Sequence, residues 1–174
     1  GPDGNNLRLA LHEQCHASDR CVMLDTAEDT AFSRPELSNQ AVHSELRDAV
    51  FALEPQGDTP TRSQIFEALL SGTIPVFFSA CARPDLIYER LYEPFLPRYE
   101  RHAFGQGTWA VVLDANAAIA DPTYVMRELE SIASDTERIR AMRQAIAAAI
   151  PRITYPRRGS EAATRGLGKH EPGL

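Results

Sequence analysis

An α/β fold, a Rossmann-like parallel sheet flanked by helices, is what this sequence predicts, and three observations carry that expectation. The apolar run Ala49-Val50-Phe51-Ala52-Leu53 is followed by a polar loop, an amphipathic stretch and the β-branched, aromatic run Thr73 to Phe78. A strand, a helical crossover of this length and another strand make a right-handed parallel β-α-β unit. A further apolar run at Trp109 to Asp114 supplies another strand, and apolar residues at helical spacing recur around these segments.

Taken in order, Cys21 to Leu24 is expected as a first strand. Pro35 to Asp48 is expected as a helix with Leu37, Val42 and Leu46 on its inner side. The run 49–53 reads as a buried strand, ended by the turn chemistry of Pro55 and Gly57. Thr61-x-x-Gln64 then fits a capping box, in which each side chain satisfies a backbone donor of the other residue. Ile65, Phe66, Leu69 and Leu70 form one apolar helical face, while Ser63 and Glu67, four apart, share a polar edge. Gly72 stops that helix, and the next strand carries Pro75 near its start or on a free edge.

Between residues 85 and 99, Pro94 and Pro97 break any long helix. Tyr88, Tyr92 and Trp109 either stack on a flat ligand or fill the core. Helices are expected from Pro122 to Ser134 and from Thr136 to Ile150, opened by Asp121-Pro122 and Asp135-Thr136 and stopped by Pro151. Met126, Leu129, Ile132, Ile139, Met142 and Ile146 supply their inner faces. The glycine-rich, basic stretch from Arg157 onward cannot bury a core and is expected to be disordered. The organisation expected is a lead-in over 1–20, one domain over 21–156 and a tail over 157–174.

With 174 residues there is room for one domain and a sizeable core. A formal net charge of −6 and a pI near 5.4 argue against a nucleic-acid surface, since phosphate-tracking proteins are usually basic. No run approaches the ~18 apolar residues of a membrane span. Gly-x-Gly-x-x-Gly and Gly-x-x-x-x-Gly-Lys-(Ser/Thr) are absent, which disfavours dehydrogenase and nucleoside-triphosphatase readings. Cys15 and Cys21 are placed to close a short disulfide loop in an oxidising lumen; the rival reading is a zinc site with His12 and His16, disfavoured because no second CxxC-like pair exists. Cys81 reads as a small buried residue rather than a nucleophile.

Ligands of parallel sheets bind outside the carboxyl ends of the strands, which puts the loop from Gln56 to Ser63 at the binding crevice. The unpaired N–H groups and partial positive charge of the helix start favour a phosphate there, and Arg62 adds a fixed cation with a two-pronged donor set.

Over Phe51 to Phe78 the order is an aromatic strand, Pro-x-Gly-Asp, Thr-Arg, Phe-Glu-Ala-Leu and Gly-x-Ile-Pro-Val-Phe-Phe. This pattern resembles the exostosin-like inverting glycosyltransferases, glycosyltransferase family 47, and most of all the plant and algal branch with xyloglucan galactosyltransferases. Looser agreement at Arg8 to Leu24 and in the late helices extends the likeness to roughly Arg8–Tyr155. Two departures stand out: Ala52 and Thr73 occupy positions where family members usually carry Cys, and both are lost together.

The resemblance implies the C-terminal, nucleotide-sugar-binding half of a GT-B enzyme, whose two Rossmann-like halves need about twice this length. It implies an inverting transfer of a sugar from a nucleotide donor, a UDP-sugar in this branch, to a glycan or polysaccharide acceptor, with no metal and no cofactor. The sequence agrees in lacking the Asp-x-Asp triplet that marks metal binding in the other large transferase architecture. Carried over residue by residue, Arg62 contacts the donor diphosphate, with Thr61 and Ser63 supplying hydroxyl or backbone donors beside it. Glu67 accepts from ribose hydroxyls, Gly57 lets the loop backbone approach closely, and Asp58 holds the loop or touches the sugar. No catalytic base is assigned; it is expected in the N-terminal half. A Golgi lumenal location is implied, with a membrane anchor expected upstream of Gly1. A non-catalytic, degenerate binding domain of the same fold is the alternative.

Overall fold

A computed structural model describes residues 3–23, 39–55, 63–79 and 109–154. Helix α1 spans Asp3–His16 and α2 spans Asn39–Asp48; strand β1 is Phe51–Glu54, α3 is Ser63–Ser71 and β2 is Ile74–Ser79. Strand β3 is Val111–Asp114, and it is followed by α4 (Ala115–Ala120), α5 (Tyr124–Ala133) and α6 (Thr136–Ile153). The strands lie in the order β1-β2-β3, all parallel, with Phe51 opposite Ile74 and Val76 opposite Val111. The α/β class and the parallel β1-α3-β2 unit therefore stand as the hydrophobic pattern had them.

β2 is the middle strand and is buried throughout its apolar length, from Ile74 through Val76, Phe77 and Phe78. A strand covered on both faces has no use for alternation, which explains its near-continuous apolar run. Pro75 is tolerated near the start of this central strand for a geometric reason. The Ile74 N–H is donated toward β1, to the Val50 carbonyl at 3.0 Å, so the position of the missing Pro75 donor faces the β3 side. Pairing with β3 begins only at Val76. Phe77 meets Trp109 edge-on with ring centroids 5.7 Å apart, so Trp109 is a core residue.

Gly72 ends α3 in a left-handed conformation, φ 76°. The N–H of Gly72 bonds the Leu69 carbonyl and that of Thr73 the Ala68 carbonyl, at 3.1 and 2.9 Å, so the orphan carbonyls of the last turn are satisfied. Asp114 and Asp135 cap α4 and α6, their carboxylates accepting from Ala117 N–H and Arg138 N–H at 2.9 Å each. Of the inner residues expected on α5 and α6, Leu129, Met142 and Ile146 are buried, and Met126, Ile132 and Ile139 pack partly buried against the same core.

Several local expectations are corrected. Residues 21–23 form no strand: Cys21 is bonded to α1, and Val22 is 69% exposed. β1 begins at Phe51 and is only half-buried over Phe51, Ala52 and Leu53, because among the described strands it lies at the sheet edge. Leu70 is exposed, since the inner stripe of α3 runs through Ile65, Ala68 and Leu69 and leaves it one residue off the face. The helix expected at Pro122 starts at Tyr124, because the Asp121 carboxylate takes Thr123 N–H and Oγ1 into a turn of its own. Pro151 does not stop α6: its fixed φ suits a helix, only one hydrogen bond is lost, and Thr154 N–H and Oγ1 both close on the Ile150 carbonyl beyond it.

The lead-in 1–20 holds α1, with Leu7 and Leu11 in the same core cluster as the sheet. The residues of the expected helix 35–48 that precede Asn39, with Leu37, lie outside the described residues, as do Leu24, Cys81, Tyr88, Tyr92 and the tail 157–174.

Candidate functional site

The carboxyl edge of the sheet is formed by Glu54 at the end of β1, Ser79 at the end of β2 and Asp114 at the end of β3, with Ser79 directly opposite Asp114. β1 leads through 55–62 into α3, and the parallel β1-β2 pairing brings the start of α3 to this same edge. Ser63 is the first residue of α3 and is exposed; Glu67 follows one turn later on the same side and is half-buried. A helix start here offers N–H donors and the positive end of a backbone dipole, the ingredients of an oxyanion site. Gly57, Asp58, Thr61 and Arg62 lie outside the described residues.

Behind the edge, α3 is held by burial of Ile65, Ala68 and Leu69 against the sheet and α6. Thr73, wholly buried after Gly72, donates its hydroxyl to the Leu46 carbonyl at the end of α2. Thus one position that departs from the pattern Cys holds a hydrogen bond between α2 and the start of β2. Ala52, the other, lies opposite Pro75 in the β1-β2 ladder.

Sequence reasoning missed two polar residues. Glu54 is a carboxylate only 6% exposed, placed at the carboxyl end of β1. Its position after an apolar run and one residue before the loop was the available signal. Gln14, 2% exposed on α1, donates Nε2 to the carbonyls of Ala118 (2.8 Å) and Asp121 (3.2 Å) and accepts from Val125 N–H through Oε1 at 3.0 Å. Both ends of its amide are used to join α1 to the end of α4 and the start of α5. No local pattern announces it, because its partners are more than a hundred residues away.

At the far side of β3, Asp114 N–H points to the Tyr124 hydroxyl at 3.4 Å, and the Arg127 guanidinium lies over the Tyr124 ring at 5.7 Å from its centre. Arg127 also pairs with Asp121 at 2.9 Å. Hydrogen bonds from the Thr123 backbone, then from Arg127 and the Thr123 hydroxyl, hold the Asp121 carboxyl at about 2, below its ordinary value of 3.8. The same pairing raises Arg127.

Cys15 and Cys21 are joined in a disulfide with Cα atoms 5.1 Å apart. Their sulfurs are thereby spent, so the zinc reading with His12 and His16 does not hold in its thiolate form. Among the described residues no helix is long and apolar enough to cross a membrane.

The Exostosin GT47 domain profile matches residues 1–119. The chain is 31% identical over 155 residues to the probable xyloglucan galactosyltransferase GT13 of Arabidopsis thaliana, covering 88% of this chain and 30% of that protein. It is also 31% identical over 149 residues to the probable xyloglucan galactosyltransferase GT17 of the same plant, covering 86% and 28%. A shorter stretch of 74 residues is 35% identical to its xyloglucan-specific galacturonosyltransferase 1, covering 42% and 10%. The chain thus spans about a third of the length of the first of these relatives. No solved structure matches it.

Proposed function

Because the chain belongs to the exostosin GT47 family, we propose that it is the donor-binding part of an inverting glycosyltransferase that moves a sugar from a nucleotide to a polysaccharide acceptor. The observation that carries this reading is the parallel β1-α3-β2 unit, whose helix starts at the carboxyl edge of the sheet with Ser63 at its head and Glu67 one turn on. Relatives named as xyloglucan galactosyltransferases support a polysaccharide acceptor.

In this reading Arg62, Thr61 and the Ser63 hydroxyl hold the diphosphate at the start of α3, and Gly57 lets the loop come close to it. Glu67 accepts from the ribose hydroxyls, and Asp58 orders the loop. The reaction is a single displacement: an acceptor oxygen attacks the anomeric carbon, the bond to the diphosphate oxygen breaks, and the acceptor proton passes to a base. Fixed donors aimed at the leaving group stabilise the charge that develops there. The donor is a UDP-sugar, and the base and acceptor groove lie in a second Rossmann-like half of a GT-B enzyme, working in the Golgi lumen behind a membrane anchor outside this chain. No metal or cofactor takes part.

Calorimetric titration with UDP, on the chain and on the full-length protein, tests the site. Saturable binding is expected, weakened by about 2–3 kcal/mol in Arg62→Ala, the worth of a charge-assisted contact. Unchanged binding in that variant removes Arg62 from the site. Binding by a full-length protein that transfers no sugar marks a degenerate binding domain instead.

A further inference from the structure

The outer side of α1 carries two imidazoles one helical turn apart. His12 and His16 are both exposed, their ring centroids 4.5 Å apart and their planes inclined by 60°. Residues at i and i+4 share one helix face, so the two rings stand over the same patch of surface. The turn beneath them is secured from both directions. Cys15, in that turn, is buried and bonded to Cys21, while Ala17 N–H closes on the Glu13 carbonyl and Ser18 N–H on that of Cys15, at 3.0 and 3.1 Å. A helix end so fastened does not fray, so the two histidine backbones stay one turn apart. Its negative dipole end also favours a cation in the last turn.

From this geometry we infer that His12 and His16 form a bidentate site for one divalent transition-metal ion. Imidazole nitrogens bind such ions at about 2.0–2.1 Å, short enough for both rings to reach a single ion between them. Imidazole suits copper, nickel and zinc, and copper(II) binds tightest by the general order of divalent affinities. The described residues hold no group of three or more His, Cys, Asp or Glu arranged for a metal. With these two imidazoles as its ligands among the described residues, the ion acts as an external staple across the last turn of α1.

Calorimetric titration of the chain with copper(II) chloride, then with zinc(II) chloride, reads the site directly. One ion per chain is expected, copper tighter than zinc, with a rise in Tm on copper addition. His12→Ala and His16→Ala should each weaken copper binding about tenfold or more, since loss of a ligand costs no less than loss of its outer-shell support. His43→Ala, on α2, should leave it unchanged. Both substituted positions are exposed, and circular dichroism checks that the variants keep their helix content. Copper affinity that survives the double variant, or no saturable heat with either ion, overturns the assignment.

Discussion

Single side chains in this protein act chiefly through the backbone groups they complete. Gln14 satisfies two carbonyls and one N–H that belong to two other helices. Replacing it by Leu keeps the apolar volume but strands those groups, each worth about 1–3 kcal/mol when buried and unmet. Gln14→Leu is therefore expected to lower the unfolding free energy by about 2–4 kcal/mol, read from the shift of the urea midpoint at constant slope. Asp121 works differently, because it is an exposed carboxylate held charged by Thr123 and Arg127. Its folded value lies below its unfolded one, so the stability it adds is present above pH 3.8 and lost as pH falls toward about 2. Stability curves of the parent and of Asp121→Asn should converge across that window; curves that stay parallel down to pH 2 would show that the network adds nothing.

At the level of elements, the strands and helices follow hydrophobic period, and their ends follow capping chemistry. Gly72 is the clearest stop: its left-handed φ closes α3 and turns the chain into β2. An added Cβ there would meet nothing within 4 Å, so the only cost of Gly72→Ala is the backbone conformation. That cost is on the order of 1 kcal/mol, and thermal unfolding should show a Tm lower by a few degrees with no change in fold. A much larger loss would point to a packing role that the open space denies. The stops and starts that were illegible from sequence each have their own cause. Pro151 continues α6 because proline in a last turn forfeits a single bond, and Tyr124 begins α5 late because Asp121 keeps Thr123 for itself. Cys21 to Met23 looks like a strand by composition, but a covalent tie to α1 holds it out of the sheet.

Across the whole molecule, the sheet and the helix that begins at its carboxyl edge are the parts that position the proposed donor site. α1 is a structural member of that assembly, since Leu7 and Leu11 share its core and Gln14 ties it to α4 and α5. A chain truncated to begin at residue 21 should accordingly lose its sharp unfolding transition and expose apolar surface to a dye. If that fragment melts as cooperatively as the whole, α1 is an appendage and the site is independent of it. What the amino-acid order alone determined is the α/β class, the β1-α3-β2 unit, the Gly72 stop, the cap at Asp135, and the polar edge of Ser63 and Glu67. All of these arise from neighbours within a few residues, where periodicity and backbone chemistry act. Tertiary structure alone decided the burial of Glu54, the three-way use of the Gln14 amide, the Thr73 bond to Leu46 and the integration of α1. Each of these depends on groups brought together by packing from distant parts of the chain, and no local spacing encodes such a meeting.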